Sequence, residues 1–115
     1  MRTLKVRLVD LLGNPRGTYR LTVIPLLGTS TVSMDSGASY SDVLLDTGES
    51  RAEEDMQIRI QSTAPPATVI GRGIVHVRWA GEDTPRAHTS GDFPPHLEVI
   101  EDAPAALSIR VRRES

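Results

Sequence analysis

Short runs in which apolar and polar residues alternate, separated by glycine and proline, recur along the whole of this 115-residue chain. Alternation with a period of two gives a β-strand one apolar face, whereas a helix needs apolar residues every three or four positions. No run of about ten residues or more has the helical period. The sequence therefore predicts seven or eight short strands, over residues 4–8, 19–23, 31–34, 42–45, 56–61, 68–79, 96–100 and 107–111.

The number and spacing of these runs predict the architecture. We expect a single domain, residues 1–115, that is an all-β, antiparallel two-sheet β-sandwich. A small β-barrel is the alternative. The cysteine and tryptophan spacing of true immunoglobulin domains is absent, so "immunoglobulin-like" would describe architecture alone. Aromatic residues make up 3% of the chain, and a core without large rings favours modest stability or stabilisation by a partner chain.

Composition excludes several classes of function. Without cysteine, the chain offers no disulfide, no cysteine-ligated zinc and no thiol nucleophile, and it has no phosphate-binding glycine motif, so no cofactor is predicted. The first residues lack the apolar run of a secretory signal, and no stretch approaches the ~20 apolar residues of a membrane span. The net charge of −2 lacks the positive excess of nucleic-acid binders. We expect a cytoplasmic protein that binds neither membranes nor nucleic acids.

A segment near the start resembles a known family. A strand that ends in aspartate, a Gly-x-Pro turn and a second alternating strand follow one another over residues 6–23. This order is similar to the opening hairpin of the carboxypeptidase-regulatory-like, or transthyretin-like, β-sandwich family. Pro15 and Gly17 are one residue closer together than is usual there, and the family's Thr-Asp-x-x-Gly-aromatic segment is absent. The resemblance implies a seven-stranded, mostly non-catalytic module and transfers no site residue; the residues themselves predict a hairpin or a close connection.

One segment has the sequence of a catalytic loop. An apolar run leads into Asp46-Thr47-Gly48, which resembles the active-site loop of retroviral-type aspartic proteases, in which two aspartates share a proton across a dimer. The 22 residues between Gly48 and Gly71, where a similar supporting segment ends, are too few for the flap of that family. A type I turn explains the same residues. A protease-like domain that uses Asp46 is one alternative hypothesis.

Histidines and acidic residues raise the question of metals and small ligands. His76, His88 and His96 are not at metal-ligand spacing, and no calcium-loop motif is present, so no metal is predicted. Three acidic clusters are predicted to lie in loops, at residues 53–55, 82–83 and 101–102. A second alternative is a small-ligand or carbohydrate-binding module on loops around His88, Asp92 and His96, although sugar platforms generally use several aromatic rings.

Charge is sorted along the chain. Twelve of the 13 basic residues are arginine, and those on predicted strands stand at polar-side positions, while the acids stand mostly in connections. If several of these strands share a sheet, its outward face is rich in arginine, which forms bidentate pairs with carboxylates. We predict a partner-binding face that contains Arg7, Arg20, Arg59, Arg78, Arg110 and Arg112. Two other causes would give the same excess of arginine on strands. One is GC-rich coding, and the other is the use of charged side chains to prevent edge strands from pairing with other chains.

These observations favour a non-catalytic protein-protein interaction or assembly module from a GC-rich bacterium or its phage. Its partner is predicted to be another protein or a second copy of the chain, bound through the arginine-rich face and the acidic loops. No catalytic residue is predicted, because the chain contains no nucleophile elbow and no base can be assigned to its serines.

Overall fold

The computed structural model describes residues 2–26, 31–45, 53–79, 85–90, 96–103 and 106–113. These residues form nine β-strands in two sheets, so the predicted all-β two-sheet sandwich is confirmed. No helix capable of crossing a membrane occurs in these segments. The strands are β1 (Arg2–Asp10), β2 (Tyr19–Pro25), β3 (Val32–Asp35), β4 (Ser41–Leu45), β5 (Glu53–Ser62), β6 (Val69–Trp79), β7 (Pro85–Ser90), β8 (Leu97–Ala103) and β9 (Ala106–Val111).

The two sheets differ in size and connectivity. The first has four strands in the order β4-β1-β9-β8, and the second has five in the order β3-β2-β5-β6-β7. Six of the strand pairings among the described residues are antiparallel, and one, between β1 and β9, is parallel. That parallel ladder runs from Lys5↔Ala106 to Asp10↔Val111, so two sequence-distant strands lie side by side at the centre of the first sheet.

The space between the sheets is filled by aliphatic side chains. The largest fully buried ones are Leu4, Leu8, Leu21, Met56, Ile58, Ile60, Leu107, Ile109, Val6, Val23 and Val43. Tyr19 is partly buried and packs against this core. The alternation predicted from sequence thus separates an inner apolar face from an outer polar face on the central strands. Candidate functional side chains consequently lie on the two outer faces.

Strand β7 lies between residues 80 and 95, where the sequence pattern predicts no strand. Within residues 81–95, β7 pairs antiparallel with the second half of β6, from Ile74↔Ser90 to Trp79↔Pro85. Pro85 occupies the first position of the strand, where the missing backbone donor is tolerated. The sequence of β7 contains no valine, isoleucine or leucine, so its own composition does not indicate a strand.

Two of the three acidic clusters are on strands, so the prediction that they lie in loops was wrong for these two. Residues 53–55 begin β5, and residues 101–102 belong to β8. In β5 the acidic residues continue the ladder opposite Arg78 and His76, and basic neighbours across the strands favour that pairing. The remaining cluster lies outside the described residues.

The segment that resembles the transthyretin-like family connects the two sheets. Because β1 belongs to the first sheet and β2 to the second, they form a close connection and not a hairpin. Asp10 Oδ1 accepts a hydrogen bond from the Leu12 amide at 2.8 Å, which starts the turn. Gly13 and Gly17 have φ values of 81° and 84°, a left-handed conformation that glycine adopts without the strain of a side chain.

Candidate interaction surface

The six predicted arginines are divided between the outward sides of the two sheets. Arg7 and Arg110 are on β1 and β9 of the first sheet, and Arg112 directly follows β9. Those on the second sheet are Arg20, Arg59 and Arg78. Because the apolar core separates the two sheets, the six side chains belong to two surfaces and not to one arginine plane.

On the first sheet, the cations are already paired with carboxylates of the same chain. The ion pairs are Lys5–Asp42 at 3.0 Å, Arg7–Asp102 at 3.6 Å, Arg110–Glu98 at 3.6 Å and Arg112–Glu98 at 3.6 Å. Individually such exposed pairs contribute little to stability. Together they offset the positive charge of this surface, which leaves it less able to attract an acidic partner.

A row of polar side chains connects the strands of the first sheet. Arg7 Nε donates a hydrogen bond to Ser108 Oγ at 2.7 Å, and its guanidinium carbon lies 4.8 Å from the centroid of the Tyr40 ring. The Tyr40 hydroxyl donates to Asp102 Oδ2 at 2.6 Å, and the Ser108 hydroxyl donates to the same oxygen. This Tyr40–Arg7–Ser108–Asp102 row therefore joins side chains from β1, β8 and β9 to the residue that precedes β4.

The row fixes the charge state of its carboxylate. Burial opposes ionisation of Asp102, but hydrogen bonds from Ser108 and Tyr40 and the charge of Arg7 outweigh burial and lower the pKa of Asp102 below its usual value. The hydrogen bond to Asp102 raises the pKa of the Tyr40 hydroxyl. Asp102 is consequently an anion whose Oδ2 accepts hydrogen bonds from two side chains of the same chain.

On the second sheet, three arginines lack a carboxylate partner. Arg20 pairs with Asp35 at 3.1 Å, but Arg59, Arg72 and Arg78 form no ion pair within the part of the chain that the structure describes. Arg59 and Arg72 stand directly opposite each other in the antiparallel ladder of β5 and β6. Like charges at directly opposed positions destabilise a sheet, so this pair is unfavourable unless an anion binds to it.

Apolar side chains flank this arginine pair. A shallow groove of about 290 Å³ lies over β2, β5 and β6, and its lining includes Ile24, Gln57, Arg59, Arg72 and Ile74. Both isoleucines are partly buried, whereas both arginines are exposed. A guanidinium group binds a carboxylate through two parallel hydrogen bonds, and the isoleucines add apolar contact area beside it. We call these five residues the arginine groove.

An acidic cluster lies on the same face, farther along β5 and β6. His76 Nδ1 lies 2.6 Å from Asp55 Oδ1, and His76 Nε2 lies 3.4 Å from Glu53 Oε2. The carboxylate side chains remain 56% exposed for Glu53 and 43% exposed for Asp55. We call Glu53, Asp55 and His76 the acidic cluster. Arg78 is the register partner of Glu53, so this end of the face carries charges of both signs, whereas the charged residues of the groove are both basic.

Of the five residues of the groove the sequence prediction included only Arg59, and Arg72 is the arginine that it missed. Gly71 and Gly73 on either side of it indicate a bend, so the pattern assigns Arg72 to neither face of the strand. The register shift between β5 and β6 falls between Ile60 and Gln61 of β5, opposite the first residues of β6. It does not reach Arg72, which stays in register with Arg59. Arg72 stands two residues before Ile74, and strict alternation along the strand would have placed both on the same outward face.

The three histidines lie in two places. His76 and His88 are register partners on β6 and β7, whereas His96 Nε2 lies 2.8 Å from the carbonyl oxygen of Ile70, near the start of β6. In the described segments no group of three or more histidine, cysteine, aspartate or glutamate residues is arranged to hold a metal ion.

The residues on which the two alternative hypotheses depend are only partly described. Asp46, of the protease-like hypothesis, and Asp92, of the ligand-binding hypothesis, lie outside the described residues. Of the other loop residues, His96 has its ring nitrogen at hydrogen-bond distance from a backbone oxygen, as above. Both hypotheses stay predictions.

Comparison with known proteins bears on the fold. No protein-family model matches the chain, and no curated protein sequence matches it. Among solved structures, the crystal structure of the abundant perithecial protein from Neurospora crassa is similar, with a TM-score of 0.78 and 15% sequence identity. The similarity covers 96% of this chain and 54% of that one, so this chain spans about half the length of the fungal protein. A likeness at this identity shows a shared fold, and the functional argument rests on the surface described above.

Proposed function

We propose that the protein is a cytoplasmic interaction and assembly module that binds an acidic protein surface through the arginine groove. The observation that carries this proposal is the contrast between the two sheets. Lys5, Arg7 and Arg110 on the first sheet each have a carboxylate within 3.6 Å, whereas Arg59 and Arg72 in the groove have none among the described residues. The groove therefore has the unused capacity to bind carboxylates.

The surroundings of the two arginines suit protein contacts. Protein interfaces combine an apolar centre with a polar rim and are enriched in arginine, which suffers less from partial burial than lysine does. In the groove, Ile24 and Ile74 provide the apolar part and Gln57 provides an amide that donates and accepts hydrogen bonds. A carboxylate that reached Arg59 and Arg72 would also relieve their mutual repulsion, so binding and folding would favour the same state.

Affinity capture with matched charge variants tests the proposal. Wild-type protein, Arg59→Glu and Arg113→Glu are immobilised, incubated with lysate of the source organism and eluted with salt, and the masses of the intact assemblies are measured. Arg113 is exposed, stands after β9 and forms no ion pair with a described residue, so its variant carries the same charge change away from the groove.

We expect the wild type and Arg113→Glu to retain the same acidic protein, or a further copy of the chain itself, and Arg59→Glu to lose it. The proposal is overturned if the wild type stays monomeric at high concentration and retains no partner. It is equally overturned if Arg59→Glu retains as much as the wild type, because the groove would then play no part in binding.

A further inference from the structure

The charges along β5 are arranged symmetrically about a neutral centre. Asp55 stands two residues before Gln57 on the outward face, and Arg59 stands two residues after it. At about 3.3 Å per residue, each charged residue lies roughly 7 Å from Gln57 along the strand, in opposite directions. Gln57 is thus the midpoint between the acidic cluster and the arginine groove's two cations.

The neighbouring strand β6 also has an uncharged residue at this level. Ile74 of β6 is paired with Gln57, while His76 of the acidic cluster and Arg72 stand two residues to either side of Ile74. The side chain of Ile24, on β2, completes an uncharged centre because Ile24 is the register partner of Gln57 on its other side. The row Ile24–Gln57–Ile74 therefore separates the carboxylates of the acidic cluster from the two cations of the groove. Arg78, the register partner of Glu53, stands on the same side of the row as the acidic cluster.

Such a face is complementary to itself under a two-fold rotation. An axis that crosses the strands along the row Ile24–Gln57–Ile74 turns β5 of a second copy antiparallel to β5 of the first. Asp55 then lies over Arg59 of the second copy, and Arg59 lies over the second copy's Asp55. A two-fold interface forms this contact twice, so Asp55 and Arg59 of each copy both meet an opposite charge.

We propose that the partner of the arginine groove is a second copy of this chain, docked with the outward faces of the two second sheets against each other about this axis. The inference rests on the proposed function and names its partner. It accounts for the position of the uncharged row, which becomes the centre of the interface, and for the charges on either side, which become its rim. It also places a carboxylate, that of Asp55 in the second copy, over Arg59, the cation that stands opposite Arg72 and has no carboxylate partner among the described residues.

A charge-exchange experiment tests this geometry. Arg59→Glu and Asp55→Arg each replace two attractive contacts between the copies by two repulsive ones. For each variant alone, the dissociation constant of the dimer, measured by sedimentation equilibrium, is expected to rise at least about tenfold. An equimolar mixture of the two variants restores opposite charges at both contacts and should dimerise within about threefold of the wild type.

Three further proteins control for folding and for net charge. A chain with both Asp55→Arg and Arg59→Glu has opposite charges at each contact again and should dimerise like the wild type. Arg113→Glu and Asp42→Arg carry the same charge changes away from this face and should leave the dissociation constant unchanged. Recovery in the mixture requires both variants to be folded, so misfolding cannot imitate the expected result.

The outcomes separate this inference from the proposed function. A wild-type protein that stays monomeric at high concentration, or a mixture no more dimeric than either variant, overturns the second copy as partner. If the capture experiment then still finds an acidic protein whose retention needs Arg59, the proposed function stands with a different partner. If it finds none, both are rejected.

Discussion

The arginines on strands fall into two groups that differ in their neighbours. Arg7, Arg110 and Arg20 each lie within ion-pair distance of an acidic residue on another strand of the same sheet. Arg59 and Arg72 instead face each other across a ladder. Functional sites are among the places where a chain retains residues that conflict with local stability, because their chemistry is needed for binding. The opposed pair is for this reason more informative than the total number of arginines.

Stability and binding should therefore respond in opposite directions to one substitution. Arg59→Glu places a carboxylate opposite Arg72 and is expected to raise the free energy of unfolding by about 0.2–1 kcal/mol, while it weakens association. Urea denaturation of the protein at a concentration where it is monomeric measures this change. Arg113→Glu, which has no opposed arginine, should leave the unfolding free energy unchanged; a destabilised Arg59→Glu would show that the two arginines do not repel each other appreciably.

The Asp102 carboxylate should make stability depend on pH. Its pKa in the folded protein lies below the ordinary value of 3.8, so its ionised form stabilises the fold above that pH, and the contribution is lost as the pH falls through the folded pKa. Asp102→Asn is expected to cost about 1–2 kcal/mol of unfolding free energy at pH 7, through weakened hydrogen bonds from Tyr40 and Ser108.

Urea denaturation of wild type and Asp102→Asn between pH 7 and pH 3 measures the difference. The two curves should converge below pH 3.8, because the wild-type carboxyl becomes neutral as well. A difference that stays constant over this range would mean that packing, and not charge, accounts for the role of Asp102.

Individual elements were predictable to the extent that their own side chains alternate. The alternation over residues 56–61 indicates β5, and the structure buries its apolar positions as that period requires. β7 was not predictable, because it is a strand through its pairing with β6 and not through its own composition. The strand structure of residues 53–55 was not predictable for a similar reason. These acidic residues pair with β6, where Arg78 and His76, which are distant in sequence, stand opposite them.

The candidate surface was likewise predictable only where it depends on single strands. Outward positions for Arg59 and Arg78 follow from alternation within single strands. Which sheet each arginine belongs to, and whether a carboxylate stands opposite it, depends on strand order. Strand order arises from long-range packing, as in the parallel pairing of β1 with β9, and one sequence does not record it.

The turn after β3 offers a test at the level of elements. Gly37 has a φ of 84°, and a Cβ built on it would meet Arg16 Cγ at 2.9 Å. Gly13 has a φ of 81° with open space around it. Gly13→Ala should cost about 1 kcal/mol of unfolding free energy for the left-handed backbone alone, and Gly37→Ala should cost more, about 1–2 kcal/mol. Equal costs, measured by urea denaturation, would show that Arg16 moves away without penalty.

In the whole molecule, a small aliphatic core is combined with two outer faces of different character. The face of the first sheet is crossed by the Tyr40–Arg7–Ser108–Asp102 row and by ion pairs within the chain. On the face of the second sheet, Arg59 and Arg72 form no ion pair with any residue that the structure describes, and they lie beside partly buried isoleucines. Large rings contribute much of the buried area in most cores, and the described core residues contain none that is fully buried. Association through the second face would add the apolar burial that such a core lacks.

Association should consequently stabilise the fold in a concentration-dependent manner. A partner present at about 100 times its dissociation constant stabilises the folded state by about 2.7 kcal/mol. The thermal midpoint of the wild type is therefore expected to rise by several degrees as protein concentration increases a hundredfold from near the dissociation constant of the dimer. Scanning calorimetry over that range measures it.

The variants separate self-association from other causes of such a shift. Arg59→Glu should have a midpoint that does not change with concentration, although its monomer is expected to be slightly more stable than the wild-type monomer. An equimolar mixture of Arg59→Glu and Asp55→Arg should regain the concentration dependence, because the two exchanged charges meet across the two-fold axis. A wild-type midpoint that is independent of concentration would mean that the core is stable without a second copy, and the groove would then need a different acidic partner.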